Sequence, residues 1–194
     1  YHPISTEEVL RENAAYEARI NEAEEALSRR GFPRTAIFRQ PVVWGEHDQY
    51  QHVNNAHYIR WFESARMRWM ERMSRTLSPE IASNLVRGRG VGIILASTYC
   101  RYRRPVTYPD TVVIGQAALP MKFADRVTVR SQAYSVAQSA IVAEADFECV
   151  AYDYDRLCKA SLPPEVADAL RAWTYTGEDK EPYCQKTSRR RTVS

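Results

Sequence analysis

Residues 46–75 read EHDQYQHVNNAHYIRWFESARMRWMERMSR. The first positions are polar and predict a loop, whereas residues 55–75 repeat apolar side chains at helical spacing. A helix that is apolar on several faces is enclosed by other elements, so we expect this helix at the centre of the fold. Its apolar positions, which lie on more than one face, are Tyr58, Ile59, Trp61, Phe62, Ala65, Trp69, Met70 and Met73.

Five strand-like segments flank this helix. One precedes it at 35–44, where Pro41 indicates a sheet edge or a bulge. Short connections between the later segments favour antiparallel pairing. The sequence therefore predicts an α+β fold class, with one antiparallel β-sheet wrapped around a central α-helix. The four later strands are expected at about 92–103, 111–119, 126–136 and 140–152.

The predicted core carries an extension at each end. Ser5 and Glu8 have the spacing of a capping box, and Gly31 is a suitable stop, so a helix is expected over 5–30. This helix has only a thin apolar stripe, which indicates docking on another part of the molecule. The predicted parts are an accessory N-terminal helix (1–34), the sheet-and-helix domain (35–160), a C-terminal helix (161–176) and a basic tail (177–194).

Composition limits the class of protein. With 194 residues, of which 44% are hydrophobic and 26% charged, the chain is predicted to be globular. No stretch reaches the roughly 18 apolar residues of a membrane helix, so we expect no membrane span. The formal net charge of +3 is too small to indicate a nucleic-acid-binding protein by itself.

The cysteines have neither the spacing of a metal site nor that of a redox pair. Cys100 and Cys149 lie in apolar strand-like segments, where reduced and buried thiols are expected. The sequence therefore predicts no metal site and a reducing intracellular compartment. The mitochondrial matrix and the cytoplasm both remain open.

The loop before the central helix contains the candidate catalytic residues. Asn54 and Asn55 are natural N-caps, and the backbone N–H groups of His57 and Tyr58 are expected to lack an intrahelical partner. At the positive end of the helix dipole such groups polarise a carbonyl or stabilise an oxyanion. Asp48 precedes Asn55 by seven residues, close enough for the loop to return it to the helix. A carboxylate there acts as general base on water or as nucleophile, which predicts acyl transfer to water.

The candidate catalytic residues Asp48, His52 and Asn55 also have structural interpretations. Asp48 can be a loop carboxylate, His52 a packed loop histidine rather than an acid or base, and Asn55 a cap that serves catalysis only indirectly. Glu63 and Arg66, three positions apart on the helix, are expected to form an ion pair.

These residues form a pattern that resembles a known family. Asp-x-x-x-His-Val-Asn-Asn-x-x-Tyr, from Asp48 to Tyr58, and Phe-Glu-x-Ala-Arg, from Phe62 to Arg66, are similar to the signature of hotdog-fold acyl-CoA thioesterases. These are the relatives of 4-hydroxybenzoyl-CoA thioesterase and the long-chain acyl-CoA thioesterases. The resemblance covers roughly residues 36–155 and continues in Tyr102-Arg103-Arg104-Pro105-Val106, Tyr108-Pro109-Asp110 and Ile141-Val142-Ala143-Glu144-Ala145.

The resemblance implies a hotdog fold, a coenzyme A thioester as substrate without a separate cofactor, and a homo-oligomer with active sites between subunits. It also implies that Asp48 is the catalytic aspartate and that the amides of His57 and Tyr58 receive the thioester carbonyl. Two positions depart from the pattern. The acid two places before Asp48 is Glu46 rather than Asp, and Gln51 stands where many members have Gly, which is expected to narrow the pocket.

Arg101, Arg103 and Arg104 lie at the predicted end of the second strand. Guanidinium groups suit phosphate, so these residues are candidates for the phosphates of coenzyme A. The alternative is a solvated strand end.

The tail suggests a second hypothesis. Residues 177–194 carry five basic and three acidic side chains, and Arg189, Arg190 and Arg191 would suit RNA phosphates or a protein partner. The chain would then be a non-catalytic hotdog subunit of a large RNA–protein assembly, such as a mitochondrial ribosome, with its terminal extensions making the contacts.

Overall fold

A computed structural model describes residues 4–180 and 182–183. Within these residues no helix is long and apolar enough to cross a membrane. Arg189, Arg190 and Arg191, which the RNA hypothesis invokes, lie outside the described residues. The helices are α1 (Thr6–Arg29), α2 (Asn55–Ser74), α3 (Pro79–Arg87) and α4 (Pro164–Ala172). The strands are β1 (Ile37–Pro41), β2 (Val91–Tyr102), β3 (Thr111–Ala118), β4 (Arg126–Ser135), β5 (Ala140–Asp153) and β6 (Cys158–Lys159).

All strands belong to one antiparallel sheet in the order β1-β3-β4-β5-β2, with the short β6 paired to β5. The predicted α+β architecture is therefore confirmed, and β1 is an edge strand, as Pro41 indicates. The predicted first strand was too long. Residues 34–36 and 44–46 form 3₁₀ turns instead, and the second is held by Glu46, whose Oε2 accepts the Val43 N–H at 2.8 Å.

Helix α2 packs on one face of the sheet, which we call the inner face. Phe62 meets the ring of Phe147 on β5 with centroids 5.8 Å apart, and the Phe62 carbonyl accepts the side-chain amide of Gln116 at 2.7 Å. Each large apolar side chain buried in this way stabilises the fold by roughly 1.5–3 kcal/mol. The buried apolar residues of α2 are Tyr58, Trp61, Phe62, Ala65, Trp69 and Met73.

Arg66 is the charged residue that α2 buries in this core. Its guanidinium lies 4.7 Å from the centre of the Phe147 ring, and Glu63 approaches it to 3.8 Å from the surface. The expected Glu63–Arg66 pair is thus present, but its acid is exposed while its base is buried.

Helix α1 and the segment that follows α4 cover the opposite face of the sheet, which we call the outer face. Leu27 of α1 and Tyr175 pack there with Val113 and Ala117 of β3 in a second apolar cluster. The end of α1 meets the C-terminal segment at Gly31, whose φ is +100° and whose Cβ, were one present, would lie 2.0 Å from the Gly177 nitrogen. The expected docking of the N-terminal helix is confirmed by this cluster.

Candidate active site

The loop before α2 is a tight turn built around Asp48. One oxygen of its carboxylate accepts the Tyr50 N–H at 2.8 Å, and its backbone N–H donates to the carbonyl of His52 at 3.1 Å. Gln51 completes the turn with a φ of +63°. Glycine adopts this left-handed backbone without steric cost, whereas a residue with a side chain, such as Gln51, adopts it less readily.

Asn54 joins this turn to the helix. Its side-chain oxygen accepts the Ala56 N–H at 2.9 Å, which makes it the N-cap of α2, and its side-chain nitrogen donates to the second oxygen of Asp48 at 3.3 Å. The loop thus returns Asp48 to the helix start, as the spacing predicts. Both oxygens of the carboxylate are engaged within the loop.

The amides at the helix start differ from the expectation. The N–H of His57 donates to the Asn54 carbonyl at 2.9 Å, so the prediction that it lacks an intrahelical partner is wrong. The reason is a hydrogen bond of the 3₁₀ type, to the carbonyl three residues earlier, which satisfies this donor within the first turn. Among the described residues, the amide of Asn55, the first residue of the helix, has no acceptor.

A cavity of about 320 Å³ opens beside this helix start. It brings together five of the predicted site residues, while Asp48, His57 and Arg101 do not line it. Tyr50 and Gln51 do not line it either, so the expected narrowing by Gln51 is absent. The lining residues are His52, Val53, Asn55, Tyr58, Tyr102, Arg103, Arg104 and Pro105.

Tyr58 and Tyr102 form an aromatic wall of the cavity. Their rings meet edge to face with centroids 5.3 Å apart, and the Tyr102 hydroxyl donates to the Asn55 carbonyl at 3.2 Å. Burial raises the pKa of both phenols to about 12, so both are neutral hydrogen-bonding groups at physiological pH. Sequence reasoning used Tyr102 only as part of a strand-end motif and missed its place in the cavity.

Glu46 anchors the other side of the helix start. Its Oε1 accepts the indole N–H of Trp61 at 2.9 Å and lies 3.5 Å from Nδ1 of His57. His47 Nε2 accepts the N–H of Tyr108 at 2.7 Å. Glu46 therefore holds the loop to the helix, whereas His47 holds it to the connection between β2 and β3, and neither residue lines the cavity.

The three predicted phosphate-binding arginines have different surroundings. Nε of Arg103 donates to Glu144 at 2.7 Å, so its charge is already paired. Arg101 and Arg104 are exposed, and within the described residues their guanidinium groups have no hydrogen-bond acceptor. The described residues contain no cluster of His, Cys, Asp and Glu that could hold a metal ion.

Comparisons with known proteins agree with this architecture. Residues 42–170 match the thioesterase-like superfamily. A relative from Aquifex aeolicus, provisionally named an esterase, is 24% identical over 135 residues, which are 70% of this chain and 97% of the relative.

Solved structures share the fold. A protein of Pseudomonas aeruginosa strain PAO1 superposes with a TM-score of 0.61 at 22% identity, covering 73% of this chain and 93% of its own. A 1,4-dihydroxy-2-naphthoyl-CoA thioesterase from Synechocystis gives 0.59 at 16% identity, covering 70% and 94%. The superfamily match at residues 42–170 does not include α1 or the residues after 170.

Proposed function

Because the chain belongs to the thioesterase-like superfamily and is a thioester hydrolase by family, we propose that it hydrolyses acyl-CoA thioesters at the cavity beside the start of α2. The reaction adds water across the thioester carbonyl and releases a carboxylic acid and the thiol of coenzyme A. The Asp48 loop is hydrogen-bonded to the amino end of α2, next to an unoccupied backbone donor, and this single observation carries the proposal.

The thioester carbonyl would lie against the amide of Asn55. Asn55 lines the cavity and is the first residue of α2, where the helix dipole adds positive potential. A donor fixed at the position where the oxyanion forms lowers the barrier by roughly 2.7–4 kcal/mol in acyl transfer. This role was assigned from the sequence to His57 and Tyr58, and the hydrogen bond of His57 to Asn54 favours Asn55 instead.

Asp48 would act on the attacking water or on the carbonyl itself. Its carboxylate is oriented by the Tyr50 N–H and the Asn54 side chain, and one of these contacts must lengthen when the carboxylate turns toward a substrate. The Asn54 contact is the longer of the two, so we expect that one to open. His52 lines the cavity and can relay a proton to the leaving thiolate.

The chain would work as a homo-oligomer. Strand β2 forms the edge of the sheet opposite to β1, and its exposed Ile94 and Leu95 leave apolar surface at that edge. An unpaired edge of this kind is a template for pairing with a second strand. A second copy placed there would also approach the cavity, since Tyr102 and Arg103 lie at the end of the same strand.

The test is hydrolysis of a panel of acyl-CoAs by the wild type and by Asp48→Asn. We expect Asp48→Asn to lower kcat by about 10²–10⁴-fold, as for loss of a general base or nucleophile. Asp153→Asn is the matched control, because Asp153 also caps a turn by accepting two backbone N–H groups but lies away from the cavity. Background rates for the wild type, or equal rates for both variants, would overturn the proposal.

A further inference from the structure

The outer face of β5 carries a row of three carboxylates, and each is paired with an arginine. Glu148 meets Arg126 at 3.0 Å, Asp146 meets the buried Arg130 at 3.1 Å, and Glu144 meets Arg103. Alternation along a strand places these acids on one face, opposite to the core residue Phe147. Of these arginines, Arg103 is the one that lines the cavity.

The contact between Glu144 and Arg103 fixes the arginine. Nε and Nη2 of Arg103 both donate to the same oxygen of Glu144, with the Nε contact at 2.7 Å. The acid side chain is 9% exposed, whereas the arginine side chain is 39% exposed. The buried acid therefore holds a guanidinium whose free edge remains accessible at the cavity.

Gln132 holds the acid in turn. Its side-chain nitrogen lies 3.4 Å from the other oxygen of Glu144 and donates to the Tyr183 hydroxyl at 2.9 Å. Its side-chain oxygen accepts Nε of Arg30 at 2.7 Å. Gln132 is almost fully buried, so its amide orientation is set by these partners.

Arg30 and Tyr183 belong to the two terminal extensions, outside the residues that match the superfamily. Arg30 follows the last turn of α1, and Tyr183 lies over the buried guanidinium of Arg130, with the guanidinium carbon 3.9 Å from its ring centre. A continuous chain of hydrogen bonds thus joins both extensions to Arg103.

We propose that Glu144 is a positioning residue for Arg103, and that Tyr183 and Arg30 act through Gln132 to hold it. The extensions thereby preorganise the cavity rim for the phosphates of the nucleotide part of a CoA thioester. A guanidinium already held in place loses less conformational freedom when it binds phosphate than a free side chain does. This inference rests on the proposed function, because it assumes that a CoA thioester enters this cavity.

The experiment compares Glu144→Gln with Glu148→Gln on two substrates with the same acyl group. Glu148→Gln is the control, because it removes an ion-paired acid from the same face of the same strand, and its arginine does not line the cavity. One substrate is the CoA thioester and the other is the N-acetylcysteamine thioester, which lacks the nucleotide. We expect Glu144→Gln to raise KM for the CoA thioester by roughly 3- to 10-fold with little change in kcat. KM for the short thioester and both constants of Glu148→Gln should stay at wild-type values.

Tyr183→Phe tests the extension itself, and it decides the question if Glu144→Gln fails to fold. It removes one hydroxyl and should raise KM for the CoA thioester in the same direction, by about 2- to 3-fold. Tyr154→Phe is its control, since it also removes a hydrogen-bonded phenol hydroxyl, which donates to the Ile93 carbonyl at 3.4 Å.

Calorimetric binding of free coenzyme A separates the two proposals. If the wild type hydrolyses no thioester, the proposed function fails, and weaker coenzyme A binding by Glu144→Gln still supports the positioning role. The inference would be overturned if Glu144→Gln left KM for the CoA thioester unchanged or changed KM equally for both substrates. It would also be overturned if Glu148→Gln changed KM as much as Glu144→Gln does. A lower KM would overturn it as well, since it would mean that Glu144 withholds Arg103 from the phosphates.

Discussion

The two faces of the sheet are built from alternate residues of the same strands, yet they are held in different ways. On β5, Phe147 faces inward and packs on Phe62 of α2, while the neighbouring Asp146 faces outward and binds the buried Arg130. The inner face is stabilised by apolar packing around one central helix. The outer face combines an apolar patch beneath α1 with paired charges sealed by the C-terminal segment. The side chains buried on the two faces of one sheet are therefore stabilised by different interactions: apolar packing on the inner face, and apolar packing together with ion pairs on the outer face.

The largest effect is expected on the inner face. Phe62→Ala removes a fully buried ring from the contact between α2 and the sheet and should lower the free energy of unfolding by about 3–5 kcal/mol. Urea denaturation followed by circular dichroism measures it. Met67→Ala is the control on the same helix, because Met67 is 49% exposed, and it should change stability by less than about 0.5 kcal/mol. Similar losses for the two variants would contradict the central position of α2.

A comparable loss is expected from the charges of the outer face. Asp146→Ala leaves the buried guanidinium of Arg130 without its carboxylate and should cost about 3 kcal/mol, since an unpaired buried charge is strongly unfavourable. The double variant Asp146→Leu with Arg130→Met should recover most of this loss in the same denaturation assay. Glu71→Ala, which breaks the exposed Glu71–Arg75 pair, should cost at most about 0.5 kcal/mol.

The docking of α1 gives a smaller effect. Leu27→Ala removes a buried side chain from the outer apolar cluster and should lower stability by about 2–3 kcal/mol. Leu10→Ala is the matched control in the same helix, because Leu10 is 62% exposed, and it should leave the denaturation midpoint unchanged. If both variants behave alike, α1 does not dock through its C-terminal half.

The smallest change in stability at neutral pH is expected from two buried tyrosines, one on each side of the sheet. Burial raises the pKa of Tyr58, at the cavity, and of Tyr183, on the outer face, to about 12 from an ordinary value near 10. The folded protein therefore keeps protons that the unfolded chain releases. Their contribution to stability is complete below pH 10 and is lost as the pH rises from about 10 through 12.

Urea midpoints measured at pH 8, 10 and 11 test this expectation. The fall above pH 10 should be shallower in Tyr58→Phe and in Tyr183→Phe, which have no phenol to titrate. Tyr50→Phe serves as the control, because Tyr50 is exposed, and it should follow the wild type at every pH. A wild-type midpoint that stays constant to pH 11 would show that the phenols are not shielded from water.

Much of the fold is visible in local sequence patterns. The strands after Gly92 and the helix α2 lie close to their predicted bounds, because alternation and helical spacing are properties of neighbouring residues. The return of Asp48 to the helix start was also predictable, since loop length limits where it can lie. The Asn55 amide was missed because every N–H group of the first helical turn has the same expectation in the sequence, and only the structure shows that the His57 donor is satisfied while the Asn55 donor is not.

The sequence by itself determined the order of the elements, the enclosed helix and the polar loop at its start. Only the tertiary structure decided which charges meet on the outer face. Glu144 and Arg103 are 41 positions apart, and Gln132 and Tyr183 are 51 apart. Local periodicity shows that Glu144 faces away from the core, but it carries no information on which distant side chain pairs with it. Such pairs form because burying an unpaired carboxylate is costly, and the folded sheet alone determines which arginine is near enough.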